Sequence, residues 1–133
     1  MTDTCNRLKL TFPTLNEREQ TVDDFYLAAD LRQVEIFEAR LKRRGYWAFD
    51  LEERQDYIFL KKEINKLKWL ETALHEMFHA CGCNEFEANA FRLVALIPLP
   101  LLADKWCWLE LNPTLYARKL WNEREKVYFL FGV

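Results

Sequence analysis

Two histidines placed one helical turn apart constrain this 133-residue chain more than any other feature. His75 and His79 are its only histidines, and Glu76 follows the first of them. Apolar residues at helical spacing run through the same stretch, which predicts a helix from Asn65 to about Cys81. Residues four apart share one helix face, so both imidazoles come within reach of one cation.

The H-E-x-x-H spacing predicts a zinc site with hydrolytic chemistry. Zinc binds neutral imidazole nitrogen, and a catalytic zinc keeps one position for a water whose pKa it lowers to about 7. Glu76 is turned too far around the helix to bind the same cation, but it can reach that water. We therefore expect one Zn²⁺ per chain, bound by His75 and His79, with Glu76 as general base.

The third metal ligand is expected in the helix that follows Gly82. Asn84 is a favourable N-cap for this helix, and Glu87 stands at the capping-box position three residues later. Glu85 has no such structural duty, and Asn89, one turn on, can hydrogen-bond to it. Because Glu85 and Glu87 are about 200° apart around a helix, only one of them faces the metal. Glu85 is preferred, and Glu87 stays as the alternative ligand.

A cysteine ligand is a further alternative, because Cys81 and Cys83 flank the predicted turn. Two histidines and two cysteines would close the coordination shell and make a structural site, which would leave Glu76 without a role. The simpler interpretation makes Cys81 a buried small hydrophobe and Cys83 a loop residue.

The chain before residue 30 is weakly patterned. Residues 7–12 alternate between polar and apolar side chains and stop at Pro13, which is typical of a short strand. Residues 14–21 are polar, so we predict a loop there.

Residues 30–45 predict a helix, because their apolar side chains lie mostly on one side. Asp30 and Gln33 can form a capping box, and Gly45 can end the helix. Thr21 is a second candidate for the start, and the sequence does not decide between them. The basic cluster at positions 40 and 42–44 is interpreted as the last turn, where cations favour the helix dipole.

Two segments rich in aromatic and β-branched residues, 45–49 and 56–62, predict paired strands. The second helix of the metal site is predicted to end at Pro98, and a last helix to run from Asn112 to about residue 130. We expect a single α+β domain over residues 1–133, mostly helical, with a small sheet packed on the H-E-x-x-H helix.

Charge and composition exclude some partners. With 19 basic and 21 acidic residues, the net charge of −2 gives no reason to expect direct binding to nucleic acid or to a membrane surface. The N-terminal stretch lacks the apolar run of a signal peptide, and the four cysteines are irregularly spaced. We expect a cytoplasmic, reduced protein.

These motifs resemble the ImmA/IrrE family of metallopeptidases. The likeness rests on HEMFH at 75–79, EFEANAF at 85–91 and ALIP at 95–98, and it covers about residues 45–98, the expected metal-site core. It implies a minimal zincin-like fold with His75, His79 and Glu85 as ligands and Glu76 as general base. In the family the ligand acid lies thirteen residues before the helix-ending proline, which gives Glu85 here. Arg92 departs from the pattern, because the family has alanine there.

The resemblance implies an endopeptidase that cuts a regulatory protein, since members commonly cut or inactivate a helix-turn-helix repressor. A peptide substrate is expected to lie along residues 57–62 as an added strand at the sheet edge. Tyr57 and Arg92 are candidate cleft residues that would stabilise the oxyanion. The alternative from another class is a zinc-stabilised module that displaces a repressor without cutting it.

Overall fold

The structure is a computed structural model, and it describes residues 3–15 and 17–96. Within them the fold is a mixed α and β arrangement of four helices and a three-stranded sheet. The elements in chain order are α1 (Asp3–Thr11), α2 (Val22–Arg32), β1 (Val34–Ala39), β2 (Gly45–Asp50), β3 (Gln55–Lys61), α3 (Lys66–Ala80) and α4 (Glu85–Leu96). The last helix predicted from the sequence lies outside the described residues, as does the predicted helix end at Pro98.

The sheet has the strand order β1-β3-β2. The predicted pairing of the two aromatic segments is confirmed, because β2 runs antiparallel to β3 with Gly45 opposite Leu60. β1 pairs with the other side of β3 in parallel. The prediction that residues 57–62 form a sheet edge is therefore wrong: β3 is the central strand, and the edges are β1 and β2.

The helix predicted over residues 30–45 is also wrong. Its alternative start is correct, because Thr21 caps α2 in a capping box with Asp24. The helix ends at Arg32, and Gln33 takes a left-handed conformation with φ of 56°. The chain then forms β1, which starts at the buried Val34. The sequence analysis had placed the apolar residues of this strand on one side of a helix.

The basic cluster consequently lies in the connection between β1 and β2 and not in a helix end. This connection leads into Gly45, which packs closely against α3. A Cβ atom at Gly45 would lie 2.7 Å from the carbonyl oxygen of Phe59 and 2.9 Å from Cγ2 of Thr72. The missing side chain therefore lets the edge strand β2 approach the helix that carries both histidines.

The prediction of a strand over residues 7–12 is wrong, because α1 runs to Thr11 and Phe12 follows its end. Leu8, Phe12 and Leu15 are fully or almost fully buried, whereas Leu10 is 75% exposed. Spacings of four and three residues between the buried positions fit a helix and its following turn, not a strand. The ring of Phe12 packs against Phe78 of α3 with centroids 4.8 Å apart, so tertiary packing overrides the local alternation.

The core lies between the sheet and α3. Ile58 and Leu60 point from β3 towards the helices, and Leu74, Met77 and Phe78 meet them from α3. One face of α3 is thereby fixed to the sheet, and the adjoining side carries the histidines. Among the helices in the described ranges, none is both long and apolar enough to cross a lipid bilayer.

Candidate metal centre

The two histidines project from the same side of α3. Asn65 caps this helix, since its Oδ1 accepts a hydrogen bond from the N–H of Leu67. His75 and His79 are both half-buried, and their Nε2 atoms lie 3.1 Å apart. The i and i+4 spacing therefore directs two nitrogen lone pairs towards one point, as predicted.

Glu85, the first residue of α4, completes the group. Its carboxylate oxygens lie 3.2 Å from Nε2 of His75 and 2.9 Å from Nε2 of His79. The three residues offer ligand atoms that all lie within 4.8 Å of one another, so they could hold a metal ion. The Glu85 side chain is 72% exposed, which leaves this side of the group open to solvent.

A hydrogen bond on the far side of the His79 ring fixes its orientation. Nδ1 of His79 lies 3.0 Å from the carbonyl oxygen of Cys83, so Nδ1 carries the proton and Nε2 keeps its lone pair. His75 hydrogen-bonds to the side chain of Asn89. The sequence had assigned Asn89 to orient Glu85, but the structure brings it to His75 instead. Burial lowers the pKa of His75, which favours the neutral form that binds a metal.

Glu87 has the structural duty predicted for it. Its Oε1 accepts from the N–H of Asn84 at 2.9 Å, and its own N–H donates to Oδ1 of Asn84 at 2.8 Å. The side chain is buried in this capping box and is not part of the histidine group. Glu87 is thus a capping residue, and Glu85 is the candidate ligand.

The cysteines lie away from the ligand atoms. Cys81 is fully buried in the core, and burial raises the pKa of its thiol to about 11, which disfavours the thiolate that a metal would need. Cys83 is also buried, and it contributes its carbonyl oxygen to His79. Neither belongs to the candidate group within the described residues.

Glu76 lies beside the histidines and is not among the three converging side chains. It is half-buried, and it lines the same cavity as His75. The main-chain N–H of Trp47 donates to its carboxylate. Burial raises the pKa of Glu76, while the positive charge of Arg43 is among the influences that lower it. The edge strand therefore holds this carboxylate next to the candidate metal position.

Trp47 is a site residue that the sequence analysis missed. Its ring stacks on His79, with centroids 6.4 Å apart and 22° between the planes. Its Nε1 donates to Oδ1 of Asp56 at 2.8 Å, which fixes the indole on β2. The only signal in the sequence was its place in the aromatic strand, since nothing there indicates that β2 borders α3.

The two residues proposed for the substrate cleft have different positions. Arg92 lines the cavity next to His75, and its guanidinium lies 3.7 Å from Glu71. Tyr57 alternates with the core residue Ile58, so it projects from the opposite face of the sheet. Its hydroxyl donates to Glu53 at 2.9 Å, which raises the pKa of Tyr57 to about 12. Tyr57 is therefore not part of the site.

Comparison of this chain with protein-family models, with curated proteins and with solved structures finds no match in any of the three. The interpretation of the site therefore depends on its own residues.

Proposed function

We propose that this protein is a zinc-dependent endopeptidase that hydrolyses a peptide bond in a regulatory protein. One observation carries the proposal: Nε2 of His75, Nε2 of His79 and the carboxylate of Glu85 converge beside a second acidic residue, Glu76, that does not join them. Three ligands and a separate carboxylate are the minimum set for metal-assisted hydrolysis with a general base.

The donor set fits zinc in chemistry and spacing. Two imidazoles and one carboxylate occur together in catalytic zinc sites, which leave the fourth position to water. Zinc bonds of about 2.0–2.1 Å place tetrahedral ligands about 3.3 Å apart. The two Nε2 atoms here lie 3.1 Å apart, and each is close to a different Glu85 oxygen, His75 at 3.2 Å from Oε1 and His79 at 2.9 Å from Oε2. With one ligand atom from each residue, all separations are within 4.8 Å. When bound, zinc would supply a Lewis acid that activates water and polarises the substrate carbonyl.

Glu76 would supply the proton transfers. As the water oxygen bonds to the carbonyl carbon, Glu76 takes the proton that water loses. It then returns this proton to the amide nitrogen as the C–N bond breaks, so the carboxylate is restored. The N–H of Trp47 keeps the carboxylate oriented between these steps.

The edge of β2 that no described strand covers is the surface we infer for the peptide substrate. The N–H of Lys61 donates to the carbonyl of Arg44, so alternation along the antiparallel pair directs the main-chain groups of Gly45 and Trp47 away from β3. Of these groups, the N–H of Trp47 already donates to Glu76, and the others are available to a peptide. An extended peptide can add a strand to such an edge. It would then run beside Glu76, which the central strand β3 could not achieve.

The nature of the substrate is proposed from the resemblance to the ImmA/IrrE family and its zincin-like fold, which implies a cytoplasmic helix-turn-helix repressor. A specific experiment follows. The zinc-loaded chain, its Glu76→Gln variant and its His79→Ala variant are each incubated with a candidate repressor bound to operator DNA. Repressor fragments are measured by mass spectrometry, and repressor release by fluorescence anisotropy of the DNA.

We expect fragments and release with the unchanged chain only. Equal cleavage by the Glu76→Gln variant would remove the general base from the proposal. Release without fragments, shared by the unchanged chain and Glu76→Gln but lost in His79→Ala, would instead establish a zinc-stabilised binding module.

A further inference from the structure

A cavity of about 260 Å³ opens beside the candidate metal centre. It lies between the β1–β2 connection, α3 and α4, and it reaches His75 and Glu76. Its walls are polar, and their charged members come from all three segments. The charged lining residues are Arg43, Arg44, Arg92, Glu71 and Glu76, and we call this cavity the arginine pocket.

Positive charge exceeds negative charge among these lining residues. Three arginines and two glutamates line the cavity, and one of the glutamates, Glu76, already accepts the N–H of Trp47. The Arg92 guanidinium lies 3.7 Å from Glu71, which is too long for a hydrogen bond. Moreover, Nε of Arg92 is buried and has no hydrogen-bond partner among the described residues. Arg92 thus keeps donor capacity that its neighbours do not use.

We propose that the arginine pocket binds a carboxylate of the substrate next to the bond that is cut. This inference rests on the proposed peptidase function, and it adds a preference for substrates with a carboxylate near the bond that is cut. A guanidinium presents paired N–H donors that match a carboxylate, and such charge-assisted bonds are stronger than neutral ones. The carboxylate comes either from an Asp or Glu side chain or from the C-terminus of the peptide, and the chemistry of recognition is the same.

The first experiment identifies the source of the carboxylate by cleavage. A library of peptides derived from a proteome is digested with the zinc-loaded chain, and the new termini are identified by mass spectrometry. We expect roughly tenfold enrichment of Asp and Glu at one position near the cut, as charge-assisted bonds predict. Cuts confined to the last residues of the peptides would assign the C-terminal carboxylate instead.

Matched variants connect the preference to the pocket. Arg92→Gln should lower kcat/KM for peptides with the acidic residue by a larger factor than for neutral peptides, whereas an equal loss for both would make Arg92 an oxyanion group and overturn the proposal. Arg40→Gln is the control, because Arg40 is exposed in the same connection but does not line the pocket. Cleavage without any carboxylate preference would contradict the proposed role of the arginine pocket, but it would support the proposed peptidase function.

A second experiment needs no hydrolysis. The zinc-loaded Glu76→Gln variant is titrated with N-acetylglutamate α-amide, N-acetylglycine and the neutral N-acetylglutamine α-amide, while the arginine Nε–H signals are followed by NMR. A shift of the Arg92 signal with a carboxylate probe, but not with the neutral probe, supports the pocket even if no peptide is ever cut. Absence of such a shift with both carboxylates overturns it. Binding that persists unchanged in Arg92→Gln would place the carboxylate on the metal and not in the pocket.

Discussion

Nδ1 of His79 hydrogen-bonds to the carbonyl oxygen of Cys83 at 3.0 Å, which connects one candidate metal ligand to the turn that precedes another candidate ligand, Glu85. Gly82 stands inside this turn with φ of 98°, a left-handed conformation that side chains rarely adopt. The same turn positions Glu85 at the start of α4. The backbone conformation of a single glycine thus couples the orientation of His79 to the placement of the third ligand.

Gly82→Ala should therefore weaken metal binding as well as folding. We expect a loss of about 1–2 kcal/mol in the free energy of unfolding from the left-handed conformation. Zinc affinity should fall about tenfold, as for other losses of support to a ligand. Urea unfolding of the metal-free chain and a chelator competition assay measure the two effects. Gly82→Asn is the control, because Asn tolerates this conformation; zinc affinity unchanged in Gly82→Ala would contradict the coupling.

Separate replacements of the two acidic residues at the start of α4 distinguish the proposed metal ligand from the capping residue. Glu85→Gln should abolish tight zinc binding with little effect on the metal-free fold, because this side chain is 72% exposed. Glu87→Ala should cost about 1 kcal/mol of stability through loss of the capping box, while three ligands remain. Zinc should raise the melting temperature of the unchanged chain, and a chelator should reverse the rise. If Glu87→Ala loses zinc and Glu85→Gln keeps it, the assignment of the third ligand is reversed.

The convergence of the three candidate ligands was predictable because its geometry is mostly local. His75 and His79 are related by helical spacing alone, and the capping pattern of Asn84 and Glu87 left Glu85 for the ligand role. The inferences use separations of three and four residues, and the most distant pair in the group, His75 and Glu85, is ten residues apart. The local patterns also identified β2 and β3 and their pairing.

What the sequence missed depends on contacts between distant segments. β1 pairs with β3 across some twenty residues, with Val34 opposite Asp56, so its apolar residues looked like one side of a helix. Because of that error, the basic residues were assigned to a helix end. The position of Arg43 in the cavity beside Glu76 was therefore not predicted. It also made β3 look like an edge. Trp47 reaches His79 only because the sheet packs on α3.

The close approach of Gly45 to α3 makes a further prediction. In Gly45→Ala the new methyl group would meet the Phe59 carbonyl oxygen at 2.7 Å and Cγ2 of Thr72 at 2.9 Å. Overpacking of this kind costs about 1–3 kcal/mol, which chemical denaturation will measure. Adding Thr72→Ser should restore part of the loss, because it removes one of the two contacts. Full stability of the single variant would show that β2 is not held this closely.

Acid should remove a defined contribution from the start of α2. Arg18 donates two hydrogen bonds, at 2.7 and 2.8 Å, to the Asp24 carboxylate, and they lower the pKa of Asp24 to about 2 from an ordinary 3.8. Because the folded pKa is the lower one, the stabilisation is complete above the unfolded pKa and disappears as pH falls through the folded pKa. Asp24→Asn should therefore destabilise the chain by about 0.5–1 kcal/mol near pH 6, a value limited by solvent screening. The difference from the unchanged chain should shrink between about pH 4 and pH 2.

Urea unfolding followed by circular dichroism across this pH range measures the difference in stability. Asp23→Asn is the control, because this variant removes the same charge from the same helix turn outside the capping box. A difference that stays constant down to about pH 2 would mean that the Asp24 carboxylate does not contribute as an ion.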